Sequence, residues 1–278
     1  MEVSKIKLSI LMEQSRPNFT KSEHKLYEHI TTHLETVMYN SLTELSELCN
    51  VGEATILRFC RKIGFGGYQD FKLAVAQELS IVKQMASGSE DTFMDRIKSN
   101  LKQVIDDTYE VNNSVALQEA ISLINNSDDI LIYGVGHSGI TALDLQSRFV
   151  RIGKNVQVVT DPHFQMMRSC SANEKTVVIA ISLSGSTKDI VDAVKKAKEN
   201  HSTVIAITNY TKSALTKLAD IVLLTSGKEN PLDGGSMVAK VSQLFVIDML
   251  CTGIALEGLE RALKYRQETA EAVAHKLY

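Results

Sequence analysis

The sequence predicts an all-helical domain followed by an α/β domain whose five-stranded parallel sheet has helices on both faces. Three observations carry this prediction. Up to about residue 80, apolar residues recur only at helical spacing. Residues 87–91, Ser-Gly-Ser-Glu-Asp, are small and polar, which marks a break in the chain. From residue 129 onward, short β-rich runs alternate with helical segments, as in a parallel sheet.

A chain of 278 residues suits about two domains of ordinary size. We expect the helical domain over 1–80, a linker and connecting helix over 81–116, and the α/β domain over 117–278. The connecting helix has an apolar stripe that is expected to pack onto the second domain. The residues of this stripe are Phe93, Ile97, Leu101, Val104 and Ile105.

The α/β domain is predicted from its order of elements. The five expected strands are 130–133, 156–160, 176–182, 203–208 and 221–224. Helical segments separate them, and a long helix over about 236–259 closes the pattern. Parallel strands need such crossover helices, so the helices must cover both faces of the sheet.

Composition excludes several classes of protein. No apolar run approaches the roughly 20 residues that cross a bilayer, so we expect a cytoplasmic protein without membrane contact. The four cysteines are widely spaced and lack zinc-ligand spacing, so no metal site is predicted and each is expected to be a small buried hydrophobe. The formal net charge is −3, so binding to a polyanion would require a local basic patch.

Two helices joined by a tight turn are predicted in the first domain. Ser41 and Glu44 stand in the capping-box arrangement, which begins a helix over about 42–49. Residues 50–52, Asn-Val-Gly, supply a turn, because Asn and Gly tolerate unusual backbone angles. A second helix follows and ends before Gly64. The segment therefore reads as a helix-turn-helix.

The second of these helices has an apolar face and a basic face. The apolar face consists of Ile56, Phe59, Cys60 and Ile63. The opposite face and its flanks consist of Ala54, Thr55, Leu57, Arg58, Arg61 and Lys62. Arg58 suits bidentate pairing with guanine, and the methyl groups of Ala54 and Thr55 suit contact with thymine. This face is the predicted surface for double-stranded DNA.

Beyond this face, Lys62, Tyr68 and Lys72 are expected to contact phosphates. Residues 1–80 hold nine Lys or Arg against ten Asp or Glu, a weak electrostatic basis for one DNA-binding head. We therefore expect a homodimer or a dimer of dimers, in which paired heads read the half-sites of an operator.

The string from Val51 to Lys72, VGEATILRFCRKIGFGGYQDFK, closely resembles the helix-turn-helix of the RpiR family of bacterial regulators. The resemblance spans about 14–79. One departure is Gly52, where the family usually has Ser. Glycine removes a helix cap and a possible phosphate contact at this position, which weakens the expected DNA affinity.

Two loops in the α/β domain suit a phosphate. The first strand leads into residues 134–139, Gly-Val-Gly-His-Ser-Gly, and then a helix. The third leads into residues 182–187, Ser-Leu-Ser-Gly-Ser-Thr, which places four hydroxyl groups around a glycine at a helix start. Hydroxyls, amides and a helix dipole together favour a phosphate monoester. The competing interpretation is that Ser and Thr only cap the helix.

The first loop also fits a dinucleotide site. Gly134, Gly136 and Gly139 satisfy the G-x-G-x-x-G pattern, and Asp161 ends the next strand where a ribose-binding acid belongs. A Rossmann fold does not require the hydroxyl-rich second loop, so the sequence favours a phosphate. An NAD(H)-sensing redox regulator stays an alternative, which loss of effector response on removal of Asp161 would support.

Residues 117–256 resemble the sugar isomerase (SIS) domain, a flavodoxin-like fold found in phosphosugar isomerases and in the effector half of RpiR-type regulators. The supporting strings are the two loops with DPHFQ at 161–165, IAITN at 205–209 and ADIVL at 219–223. The resemblance implies effector contacts from Gly136, Ser138, Ser182, Ser184, Gly185, Ser186, Thr187 and Glu229. Ala239 and Lys240 stand where Ser and Arg are common, which puts sugar contacts from the last helix in doubt.

Catalysis is not expected. An aldose-ketose isomerase needs a base within reach of the substrate, yet His137, His163 and Glu229 form no evident acid-base pair. No cofactor and no catalytic residue are predicted. The leading hypothesis is a regulator of sugar or amino-sugar metabolism that binds a phosphorylated sugar. A phosphosugar isomerase with an accessory helical domain is the other alternative.

Overall fold

The computed structural model describes residues 8–86, 92–227 and 237–276. The chain divides into two compact units, with the division between Arg96 and Ile97. The first unit is helical and the second contains a parallel sheet, so the predicted fold class is confirmed. The predicted break at 87–91 lies outside the described residues.

The first unit packs its helices around one apolar core. The helices are α1 (Leu8–Ser15), α2 (Lys21–Thr32), α3 (Leu34–Val37), α4 (Leu42–Leu48), α5 (Glu53–Lys62) and α6 (Tyr68–Ala86). Leu26, Leu45, Phe59 and Phe71 are fully buried in this core, and the rings of Phe59 and Phe71 meet edge to face at 6.4 Å. Because helices this short are marginal alone, their stability comes from this packing.

Helices α4 and α5 form the predicted helix-turn-helix. Ser41 Oγ accepts from the Glu44 amide at 3.1 Å and Glu44 Oε2 accepts from the Ser41 amide at 2.9 Å, so the capping box is confirmed. In the turn, Asn50 has a φ of 49°, whereas Gly52 has an ordinary φ of −71°. The expectation that Gly52 supplies an unusual backbone angle is therefore wrong. Gly64, with a φ of 97°, follows the end of α5.

The second unit is built on a parallel sheet. Its strands are β1 (Asp129–Tyr133), β2 (Val156–Val159), β3 (Thr176–Ile181), β4 (Thr203–Thr208) and β5 (Ile221–Leu224). The strand order within the described residues is β2-β1-β3-β4-β5, and every neighbouring pair is parallel. This is the flavodoxin-like order and not the Rossmann order, in which the third strand lies outside the second.

Helices cover both faces of this sheet. They are α8 (Ser114–Asn125), α9 (Gly136–Arg151), α10 (Pro162–Cys170), α11 (Lys188–Glu199) and α12 (Met237–Glu257). Ile130 and Ile132 of β1 face the core shared with α8, α9 and α12. Leu131 and Tyr133 face the core shared with α11, and the Tyr133 hydroxyl is hydrogen-bonded to Ser169 of α10 at 2.9 Å. Successive side chains of β1 point to opposite faces of the sheet, so each face contributes to its own apolar layer.

Helix α12 corrects an expectation from composition. Among the described residues it is the one helix long and apolar enough to cross a membrane. However, Val246, Ile247, Leu250 and Ile254 are fully buried, and α12 packs on α8 and α9. In this fold it serves as a core helix.

Helix α13 (Leu259–Ala274) follows α12 and was not predicted. Of its residues Ala262 alone is buried, whereas Leu259 and Leu263 are exposed. The cysteines required a second correction. Cys49, Cys60 and Cys251 are buried as expected, whereas Cys170 is exposed. Burial raises the pKa of the Cys60 and Cys251 thiols to about 12, which keeps them protonated.

Helix α7 (Phe93–Val111) is the predicted connecting helix, and its apolar stripe packs over only part of its length. Val104 is buried, whereas Phe93 and Ile97 are 68% and 54% exposed. The end of α7 is bound to strand β5. Asn112, just after the helix, donates from Nδ2 to the Leu224 carbonyl at 2.6 Å and accepts from the Leu224 amide at 3.0 Å.

Candidate functional site

The carboxyl ends of β1 and β3 form the place where a ligand is expected. From β1 the chain crosses to β2 on one side, and β3 lies on the other side. Open α/β sheets bind ligands in the crevice at such a switch point. The loops after these strands, 134–139 and 182–187, are the two that were predicted to bind phosphate. The parallel topology therefore places both loops at the carboxyl end of the sheet.

The second loop is pressed against residues that follow β4. Gly185 has a φ of 58°, and a Cβ there would lie 2.2 Å from Ser213 Oγ and 2.9 Å from Thr208 Oγ1. The Gly185 carbonyl accepts from the Leu215 amide at 2.9 Å. Glycine alone fits this position without displacing the loop, because both the backbone angle and the space exclude a side chain.

The helix-capping interpretation does not account for the hydroxyl groups of this loop. Thr187 is the N-cap of α11, yet its side chain makes no capping hydrogen bond. Its Oγ1 lies 3.2 Å from Ser182 Oγ, and Ser184 Oγ accepts from the Ser186 amide at 3.2 Å. The first-turn amides of α11 therefore lack a side-chain cap beside this group of hydroxyls. That arrangement suits an anion.

The first loop presents a second helix start without a side-chain cap. The N-cap of α9 is Val135, which has no polar atom to cap with. A Cβ on Gly134 would lie 2.5 Å from the Ser138 carbonyl oxygen, so the loop turns back closely on the helix. Gly136 has a φ of 57°. The half-buried Ser138 stands in the first turn, where its hydroxyl adds to the helix dipole.

Three polar residues that hold the first loop were missed by the sequence analysis. Gln243 on α12 donates from Nε2 to Ser138 Oγ at 3.1 Å, and Thr141 Oγ1 donates to Gln243 Oε1 at 2.9 Å. Gln165 on α10 is fully buried and donates to the Gly134 carbonyl at 3.3 Å. Their signal in the sequence is a polar residue within an apolar helical face. Their partners are too distant in sequence to be read from it.

Asp161 has the role of a helix cap. Its Oδ1 accepts from the Phe164 amide at 2.9 Å at the start of α10, with Pro162 in the first helical position. The strand order is also not that of a Rossmann fold, so the dinucleotide alternative lacks its topological support.

The remaining predicted effector residue is Glu229; His137 and His163 were considered as bases, and Ala239 and Lys240 as departures from the family. Glu229 lies outside the described residues. His137 and His163 are exposed, and Lys240 is half-buried. Ala239 is buried, and its Cα would lie 2.7 Å from a Cβ on Gly227. The first turn of α12 therefore packs tightly at Ala239.

The predicted DNA-binding face of α5 is exposed. Ile56, Phe59 and Cys60 are buried on the opposite side, as the helical spacing predicted. Ala54, Arg58 and Arg61 are exposed and Thr55 is half-buried. Arg58 Nη2 donates to Thr55 Oγ1 at 3.2 Å, which holds the guanidinium along the first turns of the helix.

Lys62 takes part in a contact within the unit. Its Nζ lies 2.6 Å from Glu23 Oε2 and 3.1 Å from the Asn18 carbonyl oxygen. Burial raises the pKa of Glu23, but hydrogen bonds from Lys62 and from the Thr20 backbone outweigh it and lower the pKa overall. Lys62 would have to leave this ion pair to contact DNA.

Tyr68 and Lys72 are not placed for phosphate contacts. Both are buried, and both donate to the Asn40 carbonyl oxygen, at 3.1 Å and 3.0 Å. Burial lowers the pKa of Lys72 to about 8. The expectation that these two residues contact DNA phosphates is therefore wrong.

A helix-turn-helix unit joined to a flavodoxin-like α/β unit is an architecture of ligand-responsive transcription regulators. The helix-turn-helix domain of the rpiR family matches residues 6–82, and the SIS domain matches residues 123–253. The chain belongs to the RpiR family of helix-turn-helix transcriptional regulators, so the resemblance noted in the sequence is confirmed.

Individual relatives agree with this assignment. An uncharacterized helix-turn-helix regulator of Clostridium perfringens is 33% identical, over 96% of this chain and 99% of the relative. The regulator HexR of Escherichia coli is 31% identical, over 90% and 87%. The solved structure of the Vibrio vulnificus NanR protein complexed with ManNAc-6P is similar over 96% of this chain and 99% of that chain, with a TM-score of 0.88 and 28% identity.

Proposed function

We propose that this regulator binds operator DNA through α5 and a phosphorylated sugar through the crevice between β1 and β3. The observation that carries the proposal is the pair of helix starts without side-chain caps, α9 and α11, at one edge of the sheet. Two helix dipoles and a group of hydroxyls favour a compact dianion over an uncharged ligand. The similarity to NanR in complex with ManNAc-6P supports a hexosamine phosphate as the first class to test.

The proposed contacts divide by the part of the ligand that they serve. The phosphate contacts are Gly136, Ser138, Ser182, Ser184, Gly185, Ser186 and Thr187. Glu229 is proposed to contact the sugar. Regulation then requires that sugar binding and DNA binding be coupled, each changing the affinity of the other by the same factor.

The DNA contacts of the proposal are Ala54, Thr55, Arg58, Arg61 and Lys62. A helix-turn-helix places its second helix in the major groove, where the exposed Arg58 reaches guanine. Two or more heads in a homodimer or dimer of dimers supply the contact that one weakly charged head lacks. The regulator is proposed to work in the cytoplasm and to sense its sugar without turning it over.

A thermal-shift screen of the full chain tests the effector. The panel contains hexose, pentose and amino-sugar phosphates, their unphosphorylated sugars, and NADH. We expect a sugar phosphate to raise the melting temperature, because a ligand that binds the folded state stabilises it. The unphosphorylated sugar and NADH should leave it unchanged. Conversion of an aldose to a ketose phosphate in the same mixture would support an isomerase instead.

Two double variants test whether the shift depends on the loop at 182–187. Ser184→Ala with Thr187→Ala should abolish the shift, since it removes two of the proposed donors. Ser171→Ala with Thr269→Ala removes the same groups from elsewhere in the unit and should retain the shift. A shift that survives in the first variant, or that only NADH produces, would contradict the proposal.

A further inference from the structure

Gln243 and its neighbour Ser242 are the buried polar side chains of α12, whose other buried residues are apolar. Gln243 is 3% exposed, and Val246 and Ile247 beside it on α12 are fully buried. A buried amide destabilises a core unless its donor and acceptor are both bonded. Gln243 is bonded at both ends, and both partners lie at the start of α9.

Gln243, Ser138 and Thr141 form a small polar cluster. Gln243 Nε2 donates to Ser138 Oγ at 3.1 Å, and Gln243 Oε1 accepts from Thr141 Oγ1 at 2.9 Å. Thr141 Oγ1 also lies 2.9 Å from the Ser138 carbonyl oxygen. Thr141 has one proton, which one of these two acceptors receives. Thr141 is 1% exposed, so the cluster contacts both the backbone and the side chain of Ser138 from the buried side.

The direction of the bond to Ser138 decides what its hydroxyl offers a ligand. A hydroxyl has one proton to donate and two lone pairs to accept with. Because Ser138 Oγ accepts from Gln243, its own proton is left for an acceptor in the crevice. By contrast, Ser182 and Thr187 lie 3.2 Å apart and one of them donates to the other.

Phosphate oxygens of a dianion only accept hydrogen bonds, so a hydroxyl that is already an acceptor suits them. We propose that Gln243 is a positioning residue that orients Ser138 as a hydrogen-bond donor to the phosphate of the effector. This inference rests on the proposed function, and it adds a residue on α12 to a site otherwise built from the two loops.

A double-mutant cycle tests the inference in the full chain. Affinities for ManNAc-6P and for inorganic phosphate are measured by isothermal titration calorimetry for the wild type, Ser138→Ala, Gln243→Met and the double variant. Loss of one hydrogen bond to a charged group corresponds to about 10-fold or more in affinity. Because Gln243 acts through Ser138, the double variant should bind no worse than Ser138→Ala alone.

Two further variants separate positioning from folding. Gln243→Glu keeps the shape but turns the donor into an acceptor, so it should bind phosphate more weakly than Gln243→Met. Gln146→Met removes a glutamine of α9 whose Nε2 approaches the Val156 carbonyl, at 3.5 Å, and should bind like the wild type. Melting temperatures confirm that each variant is folded before it is titrated.

The outcomes distinguish this inference from the proposed function. A wild type whose melting temperature no sugar phosphate raises contradicts the proposed function, and the inference falls with it. A wild type that binds, with losses from Ser138→Ala and Gln243→Met that multiply in the double variant, contradicts the inference alone. Gln243→Glu binding as tightly as the wild type would overturn it as well.

Discussion

The surfaces proposed to bind DNA and sugar phosphate both attract anions, but they are built from different groups. The DNA-binding face of α5 relies on the exposed cationic side chains of Arg58 and Arg61. The described effector residues, in contrast, are glycine, serine and threonine at two helix starts. A polyanion is an extended target that mobile charged side chains can follow. A single phosphate is met by fixed amides and hydroxyls in a defined geometry.

The largest expected difference between the two surfaces is in how strongly salt weakens their affinities for DNA and for the effector. Raising the salt from 50 to 200 mM should weaken DNA binding by about 10³-fold if a dimer makes six or more phosphate contacts, because bound counterions are released. Effector affinity should change by less than about 3-fold over the same range, since fixed dipoles at short distance are screened weakly. Fluorescence anisotropy and calorimetry measure the two affinities. Equal salt dependence would remove the distinction.

The next largest effect is expected on DNA affinity when Arg58 is removed from α5. Arg58→Ala should weaken binding to a sequence selected from a random duplex library by about 10- to 100-fold per head, the worth of a bidentate contact with guanine. Effector affinity should be unchanged. Arg16→Ala removes equal charge from the same unit, at a residue already paired with Glu13, and serves as the control. Equal losses in both variants would mean that Arg58 contributes charge only.

Lys72 is a buried cation of the first unit, and we expect it to affect the pH dependence of stability and not DNA binding. Its folded-state pKa of about 8 is below that of an unfolded lysine, so the unfolded state binds more protons between pH 8 and about 10.4. The contribution of Lys72 to stability therefore rises with pH in this window. The stability of Lys72→Met relative to the wild type should fall there by on the order of 2 kcal/mol. DNA affinity at pH 7.5 should stay within about 3-fold of wild type.

Chemical denaturation at several pH values measures this effect. Lys25→Met, at an exposed lysine of α2, is the matched control for loss of a lysine side chain. A flat difference between Lys72→Met and wild type from pH 7.5 to 10.5 would contradict the burial of Lys72.

The smallest effect is expected at a helix start that does have a side-chain cap. Asp161→Ala should lower the free energy of unfolding by about 1 kcal/mol, the usual worth of an N-cap. Its effector affinity should remain within about 3-fold, because the cap serves α10 and not the ligand. Denaturation and calorimetry on the same samples measure both quantities. A large loss of effector response would restore the dinucleotide hypothesis.

Periodicity and turn chemistry predicted much of the local structure. The four apolar residues of α5 and the capping box at Ser41 follow from spacing alone, and both are confirmed. The alternation of strands and helices likewise predicted the parallel sheet. Helix α13 was missed although Leu259, Ala262 and Leu263 recur at helical spacing, and of these Ala262 alone is buried.

Contacts between distant residues could not be predicted in the same way. Lys62 and Lys72 look like surface residues in the sequence, because Glu23 and Asn40, their partners, lie 39 and 32 residues away. Gln243 is separated from Ser138 by 105 residues. A helical wheel shows which face is polar. It does not show which polar side chains are already hydrogen-bonded to residues distant in the sequence.

The contact between Asn112 and Leu224 has a consequence for the edge of the sheet. Strand β5 is an outer strand, and the side-chain amide of Asn112 binds both polar backbone atoms of Leu224, as a neighbouring strand would. An uncovered edge strand invites pairing with another chain. A fragment cut at residue 117 would lack this amide and would expose β5 to self-association. A fragment that retains α7 and Asn112 would keep this edge closed.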